Sequence, residues 1–160
     1  MTYDLQLFDI DRGANLEGVL QAREQELVAK HQDMLRDMLN AQYVLPELHQ
    51  RVAEELADHY IVLDRVDADS GFVELTHEQY GIQISIFDTK IAVTVPYWHQ
   101  GKKARLVWEE IWRYLTLIEA ETGYHTVDPQ VGLVLDLSLD LPAVLSAYAE
   151  AMSAIRRTLR

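Results

Sequence analysis

The sequence predicts an α+β fold: a mostly antiparallel β-sheet packed against about four helices, in a single domain over residues 1–160. Three observations predict it. The hydrophobic pattern changes from a helical period to a period of two near residue 72 and becomes helical again near residue 102. Helical and extended segments come in groups, which argues against alternating βαβ units. No internal repeat, Ser/Pro-rich linker or low-complexity tract divides the chain, and 160 residues suit one domain.

The elements follow in chain order as β-αα-βββ-α-ββ-α. Residues 2–10 start as a strand, with Tyr3, Leu5 and Leu7 alternating with Asp4 and Gln6. Asp11-Arg12-Gly13-Ala14-Asn15 breaks it, and Asn15 is placed to cap a helix running to about Asn40. Its apolar stripe holds Leu16, Val19, Leu20, Leu27, Val28, Met34, Leu35, Met38 and Leu39, interrupted by Arg23 and His31. Pro46 opens a second helix to about residue 60, whose face is Leu48, Val52, Leu56 and Tyr60. Residues 61–70 read as a connector with acidic turns.

Phe72–Glu78, Gly81–Phe87 and Lys90–Tyr97 read as strands, the last two forming a hairpin around Asp88-Thr89. A third helix spans Lys102 to about Glu121 and stops at Gly123, a residue suited to a left-handed cap. Trp108 and Trp112, four apart, fall on one side of it and read as core. Short strands at 124–127 and 132–136 flank Asp128-Pro129-Gln130. There Asp supplies a side-chain acceptor and Pro pre-sets φ, so this reads as a solvent-facing hairpin turn. Pro142 suits the first turn of a last helix with Val144, Leu145, Tyr148, Met152, Ile155 and Leu159 on one face. Arg156, Arg157 and Arg160 complement its C-terminal dipole.

Composition narrows the function. Hydrophobic residues at 49% supply a real core and exclude general disorder. The absence of Cys excludes disulfides, thiolate catalysis and Cys-ligated zinc. No apolar run approaches the roughly 20 residues that cross a bilayer. The start MTYDLQLFDID lacks a basic n-region and long apolar run, so a cytoplasmic location is expected. A net charge of -12 disfavours nucleic acid and anionic membranes, which require cationic neutralisation.

The charge is concentrated. Glu47, Glu54, Glu55, Asp58, Asp64, Asp67, Asp69, Glu74 and Glu78 face only Arg51 and Arg65 between residues 41 and 80. This quarter therefore holds seven of the twelve excess negative charges. It reads either as a solvated face or as a surface for a basic partner. Tyr97 and Trp98, in the loop Pro96-Tyr97-Trp98-His99-Gln100-Gly101, are the candidate aromatic anchors beside it. The candidate partner-binding set is Asp64, Asp67, Asp69, Glu74, Glu78, Tyr97 and Trp98.

Motifs for catalysis and cofactors are missing. There is no G-x-S-x-G, P-loop, G-x-G-x-x-G or H-E-x-x-H. Six histidines are scattered, Glu55 and His59 stand at i, i+4 spacing on the second helix, and Asp67, Asp69 and Glu74 fail the spacing of a calcium loop. No catalytic residue, metal or cofactor is expected.

The start MTYDLQLF and the later ETGYHTVDPQVG resemble a loose group of small bacterial proteins. These share a Met-(Ser/Thr)-Tyr-Asp-Leu strand and a late (Tyr/Phe)-Asp-Pro-Gln turn. Val127 stands here where the aromatic residue usually stands. Some of the group look like immunity proteins of interbacterial toxin systems. The resemblance implies a non-enzymatic protein that binds a basic cognate toxin and occludes its active site. Alternatives are a non-catalytic adaptor or regulatory partner, and an enzyme with a site that no motif reveals. Oligomeric state is left open.

Overall fold

The computed structural model describes residues 1–11, 13, 15–37, 45–67 and 71–159, without the side chains of residues 27 and 30–37. Its elements are β1 (Thr2–Phe8), α1 (Leu16–Asp37), α2 (Glu47–His59), β2 (Leu63–Asp67), β3 (Val73–His77), β4 (Ile82–Ile86), β5 (Ile91–Pro96), α3 (Gly101–Thr122), β6 (His125–Asp128), β7 (Leu133–Val134) and α4 (Leu141–Thr158). The seven strands form one sheet in the order β2-β3-β4-β5-β1-β6-β7, with every neighbouring pair antiparallel. Four helices and an antiparallel sheet make this an α+β fold.

The period of two has a direct cause. Alternate residues of a strand point to opposite faces. Tyr3, Leu5 and Leu7 of β1, Ile82, Ile84 and Ile86 of β4, and Ile91, Val93 and Val95 of β5 are all buried. They face α2, α3 and α4, which contribute Val52 and Leu56, Val107, Trp108 and Ile111, and Val144 and Tyr148 to the same core. A fully buried Leu or Ile contributes roughly 1.5–3 kcal/mol, so this layer carries most of the stability.

The other face is treated unevenly. At the β1/β6/β7 end, α1 covers it through Leu16, Val19 and Leu20, packed on Phe8, Ile10, Val127 and Val134. Asn15 starts α1, its Oδ1 lying 3.4 Å from the Gly18 N–H. Arg23, read from sequence as an interruption, continues this packed stripe. Its guanidinium lies 3.9 Å from the Phe8 ring centroid and also donates to the Thr89 carbonyl. The expected positions Leu27, Met34, Leu35, Met38 and Leu39 fall outside the described side chains.

Besides Val28 and Leu159, which are exposed rather than on the buried faces of α1 and the last helix, three expectations need correction. Residues 61–70 are not simply a connector, because Leu63–Asp67 form edge strand β2, paired with β3 through five residue pairs. In α2 the buried face contains His49 rather than Leu48. His49 is accommodated because its ring nitrogens meet the Phe87 carbonyl and, at 2.9 Å, the Tyr124 hydroxyl. The third correction concerns Asp128 and is made with the site below. The stop of α3 is as read: Gly123 takes φ 72 and caps it by donating to the Glu119 carbonyl, while the expected stop of α1 near Asn40 lies outside the described residues.

Candidate functional site

The stretch Val127-Asp128-Pro129-Gln130 does connect two antiparallel strands, with Val127 opposite Val134 and Asp128 opposite Leu133. Pro129 and Gln130 are exposed. Asp128 is not solvent-facing: its exposure is 0%. Its Oδ1 accepts the Gln130 and Val131 backbone N–H groups at 2.9 and 3.3 Å, the expected turn chemistry. Its Oδ2 accepts the Tyr3 hydroxyl at 2.6 Å. The Gln130 amide, oriented to satisfy its neighbours, adds donations to Asp128 Oδ1 and, at 2.8 Å, to the Asp4 carbonyl. The first strand and the late turn are thereby locked together.

Burial raises the Asp128 pKa above the ordinary aspartate value, and the Tyr3 and backbone hydrogen bonds pull the other way. Tyr3 is pushed well up by its own burial and then by Asp128. Around this pair stand Trp108, Tyr148 and Tyr97, with ring centroids 5.2, 6.0 and 5.9 Å from Tyr3. The arrangement is a bonded, ring-walled lock inside the core.

The acidic segment is built differently. In β2 and β3, Asp64 stands opposite Thr76 and Val66 opposite Glu74, on the sheet face away from the main core. Asp64 and Glu74 are thus diagonal neighbours, about 7–8 Å apart between backbones. Asp64 and Val66 are exposed, Val66 to 62%, while Glu74 is half-buried. Gln83, Ser85, Ala92 and Thr94 continue this polar face across β4 and β5.

Asp67 points to the opposite face and is occupied with Arg65, whose Nε donates to Asp67 Oδ1 at 2.8 Å. Asp69 lies outside the described residues. Glu78 is exposed on the turn after β3. Trp98 reaches this turn from the other side of β4. A Cβ on Gly81 would lie 2.9 Å from Trp98 Cζ2, so the glycine permits the indole to rest against it. Trp98 still exposes 66% of its surface. Tyr97, by contrast, turns inward, stacked on Tyr148 at 5.3 Å with rings 17° apart. The structure therefore sets Asp64 and Glu74 on the polar face of β2 and β3, leaves Glu78 and Trp98 exposed around the β3–β4 turn, gives Asp67 to the other face, and sends Tyr97 into the aromatic core.

Beneath Trp98, His99 is buried and its Nε2 lies 2.6 Å from the Tyr80 carbonyl. The Trp98 indole nitrogen is 3.0 Å from the same Nε2. One nitrogen cannot both donate to the carbonyl and accept from the indole, and the shorter contact assigns the proton to Nε2. Burial lowers the His99 pKa, which favours this neutral ring. His77, stacked on Tyr80 at 4.3 Å, completes a rigid support for the corner.

Among the described residues no group of three or more His, Asp or Glu is arranged to hold a metal ion. Nor is any described helix long and apolar enough to cross a membrane. No family model matches the chain, and neither a curated protein nor a solved structure matches it.

Val66 and Gly81 were absent from the sequence-based candidate set. An exposed Val beside alternating charges carried a signal, since an edge strand shows both faces. Gly81 carried none, because its role depends on Trp98, distant in sequence.

Proposed function

We propose that the protein binds a basic protein, a cognate bacterial toxin, and neutralises it by covering its active cleft with the β2/β3 corner. The observation that carries this reading is the exposed Val66 beside Asp64 and Glu74 on one face of β2 and β3, with Glu78 and Trp98 exposed at the turn that follows β3. Acidic groups steer a basic partner and raise its association rate. Apolar groups supply the short-range contact that slows its departure. The toxin class comes from the resemblance of the two chain segments, now seen to include both halves of the Tyr3–Asp128 lock.

The test starts with purification from the native cells and identification of a stoichiometric basic partner. That partner, expressed alone, is expected to arrest growth, and co-expression of this protein to restore it. A harmless partner overturns neutralisation and leaves an adaptor. Asp64→Lys with Glu74→Lys is expected to slow association and flatten its salt dependence; an unchanged rate removes this corner from the interface.

A further inference from the structure

We propose that the partner docks by adding an extended strand to the free edge of β2, so that the sheet continues into the partner. This deepens the proposed function and rests on its acidic corner. β2 is the outermost strand on its side of the sheet, and among the described residues it pairs only with β3. Four of its five residues, Asp64 to Asp67, are exposed. The opposite edge, β7, has only two residues. An edge strand offers a row of backbone donors and acceptors to any strand that can approach.

Proline and bulges are missing from this edge, and its protection is charge, from Asp64, Arg65 and Asp67, together with its short length. No proline or glycine lies in Leu63–Asp67, and its register with β3 is continuous over all five pairs, without a bulge. The residues leading into it, Ile61 and Val62, are exposed apolar groups, as is Val66. Charge remains as the selector. On the polar sheet face an incoming strand meets Asp64 and Val66, with Glu74 behind them. On the other face Arg65 and Asp67 already neutralise each other.

The fitting segment therefore carries a cation and an apolar residue two positions apart on one face, and no net charge requirement on the other. A second copy of this chain fits poorly. An antiparallel β2–β2 pairing centred on Arg65 sets two arginines opposite each other, offers no cation to Glu74, and joins two chains of charge -12.

The probe is a cyclic β-hairpin peptide with Lys and Val two apart on its outer strand. Its control is the same peptide with N-methyl groups on the outward amides, which keeps charge and shape but cannot pair. With the full-length protein labelled for NMR, the first peptide is expected to shift and protect the amides of residues 63–67. N-methylation is expected to weaken binding by about tenfold or more, the cost of losing one or two well-made hydrogen bonds. Asp64→Lys with Glu74→Lys is expected to weaken the unmodified peptide similarly.

Equal binding of both peptides overturns strand addition while leaving the acidic corner intact. Binding of neither overturns strand addition, and the partner association experiment then judges the corner by itself. A dimer by light scattering with β2 already protected overturns the proposal in favour of a second copy.

Discussion

Two carboxylate regions share this molecule and obey opposite rules. At the β1/β6 end, Asp128 is sealed from water and its oxygens are filled by Tyr3 and the turn backbone. At the β2/β3 corner, Asp64 is exposed and Glu74 half-exposed, on the same face. Two charges at about 7–8 Å in water repel by only about 0.5 kcal/mol, so folding tolerates the corner easily. A buried carboxylate without partners costs several times more. Burial thus makes an acid answer to the fold, whereas exposure leaves it available to another molecule.

Substitutions can break this contrast, and the largest effect is expected at the lock. Trp108→Ala empties a site walled by Tyr3, Trp112 and Tyr148 and should cost about 3–5 kcal/mol by denaturant unfolding. A loss under about 1 kcal/mol would mean that the aromatic wall is not part of the core.

Tyr3→Phe is next. It leaves Asp128 Oδ2 without its donor and should cost about 1–3 kcal/mol at neutral pH. The pH dependence sharpens the test. The folded pKa of Asp128 is raised, so the folded state binds the proton more tightly than the unfolded chain. Its contribution to stability therefore falls as pH rises from the unfolded value of 3.8 through the folded value. Removing Tyr3's hydroxyl raises the folded value further. The deficit of Tyr3→Phe relative to the parent should be largest at neutral pH and shrink on acidification; a pH-independent deficit would show that Asp128 does not sense Tyr3.

Gly81→Ala should act more locally. The added Cβ meets the Trp98 ring at 2.9 Å and the backbone holds φ 67, so about 1 kcal/mol is lost and the indole moves. Tryptophan fluorescence with unchanged Trp98 environment would argue that the indole does not rest there. The smallest change is expected for Asp64→Lys and Glu74→Lys, within about 0.5 kcal/mol of the parent in stability. A large destabilisation would make the corner structural and remove the contrast.

The sequence carried the strands and helices wherever one face alone is buried. β3, β4 and β5 alternate because only one side meets the helices, and α3 ends where Gly123 adopts a left-handed turn. β2 was hidden because only Leu63 in it is buried, so no alternation marks Leu-Asp-Arg-Val-Asp. His49 was hidden because its burial depends on Phe87 and Tyr124, distant partners that leave no local pattern. The turn at Asp128 was legible from its own chemistry, but its burial depends on Tyr3. Of the candidate surface, the charge concentration was legible; the division of Asp64 from Asp67, and of Trp98 from Tyr97, required the register of the strands.

The place of β1 has a consequence for how the chain finds this structure. β1 lies between β5 and β6, and its Tyr3 bonds a carboxylate 125 residues later. At a synthesis rate of about 5–20 residues per second, the first strand waits for on the order of 10 s before that partner exists. Local hairpins such as β4–β5 can close within about 10 μs. β1 can pair with β5 once residue 96 is made, but the Tyr3 hydroxyl meets Asp128 only when the late turn emerges, and the Tyr3 ring meets Tyr148 later still. Unfolding rate should report on the Tyr3–Asp128 contact: Tyr3→Phe is expected to speed unfolding with little change in the folding limb of a chevron, as for a contact formed after the transition state.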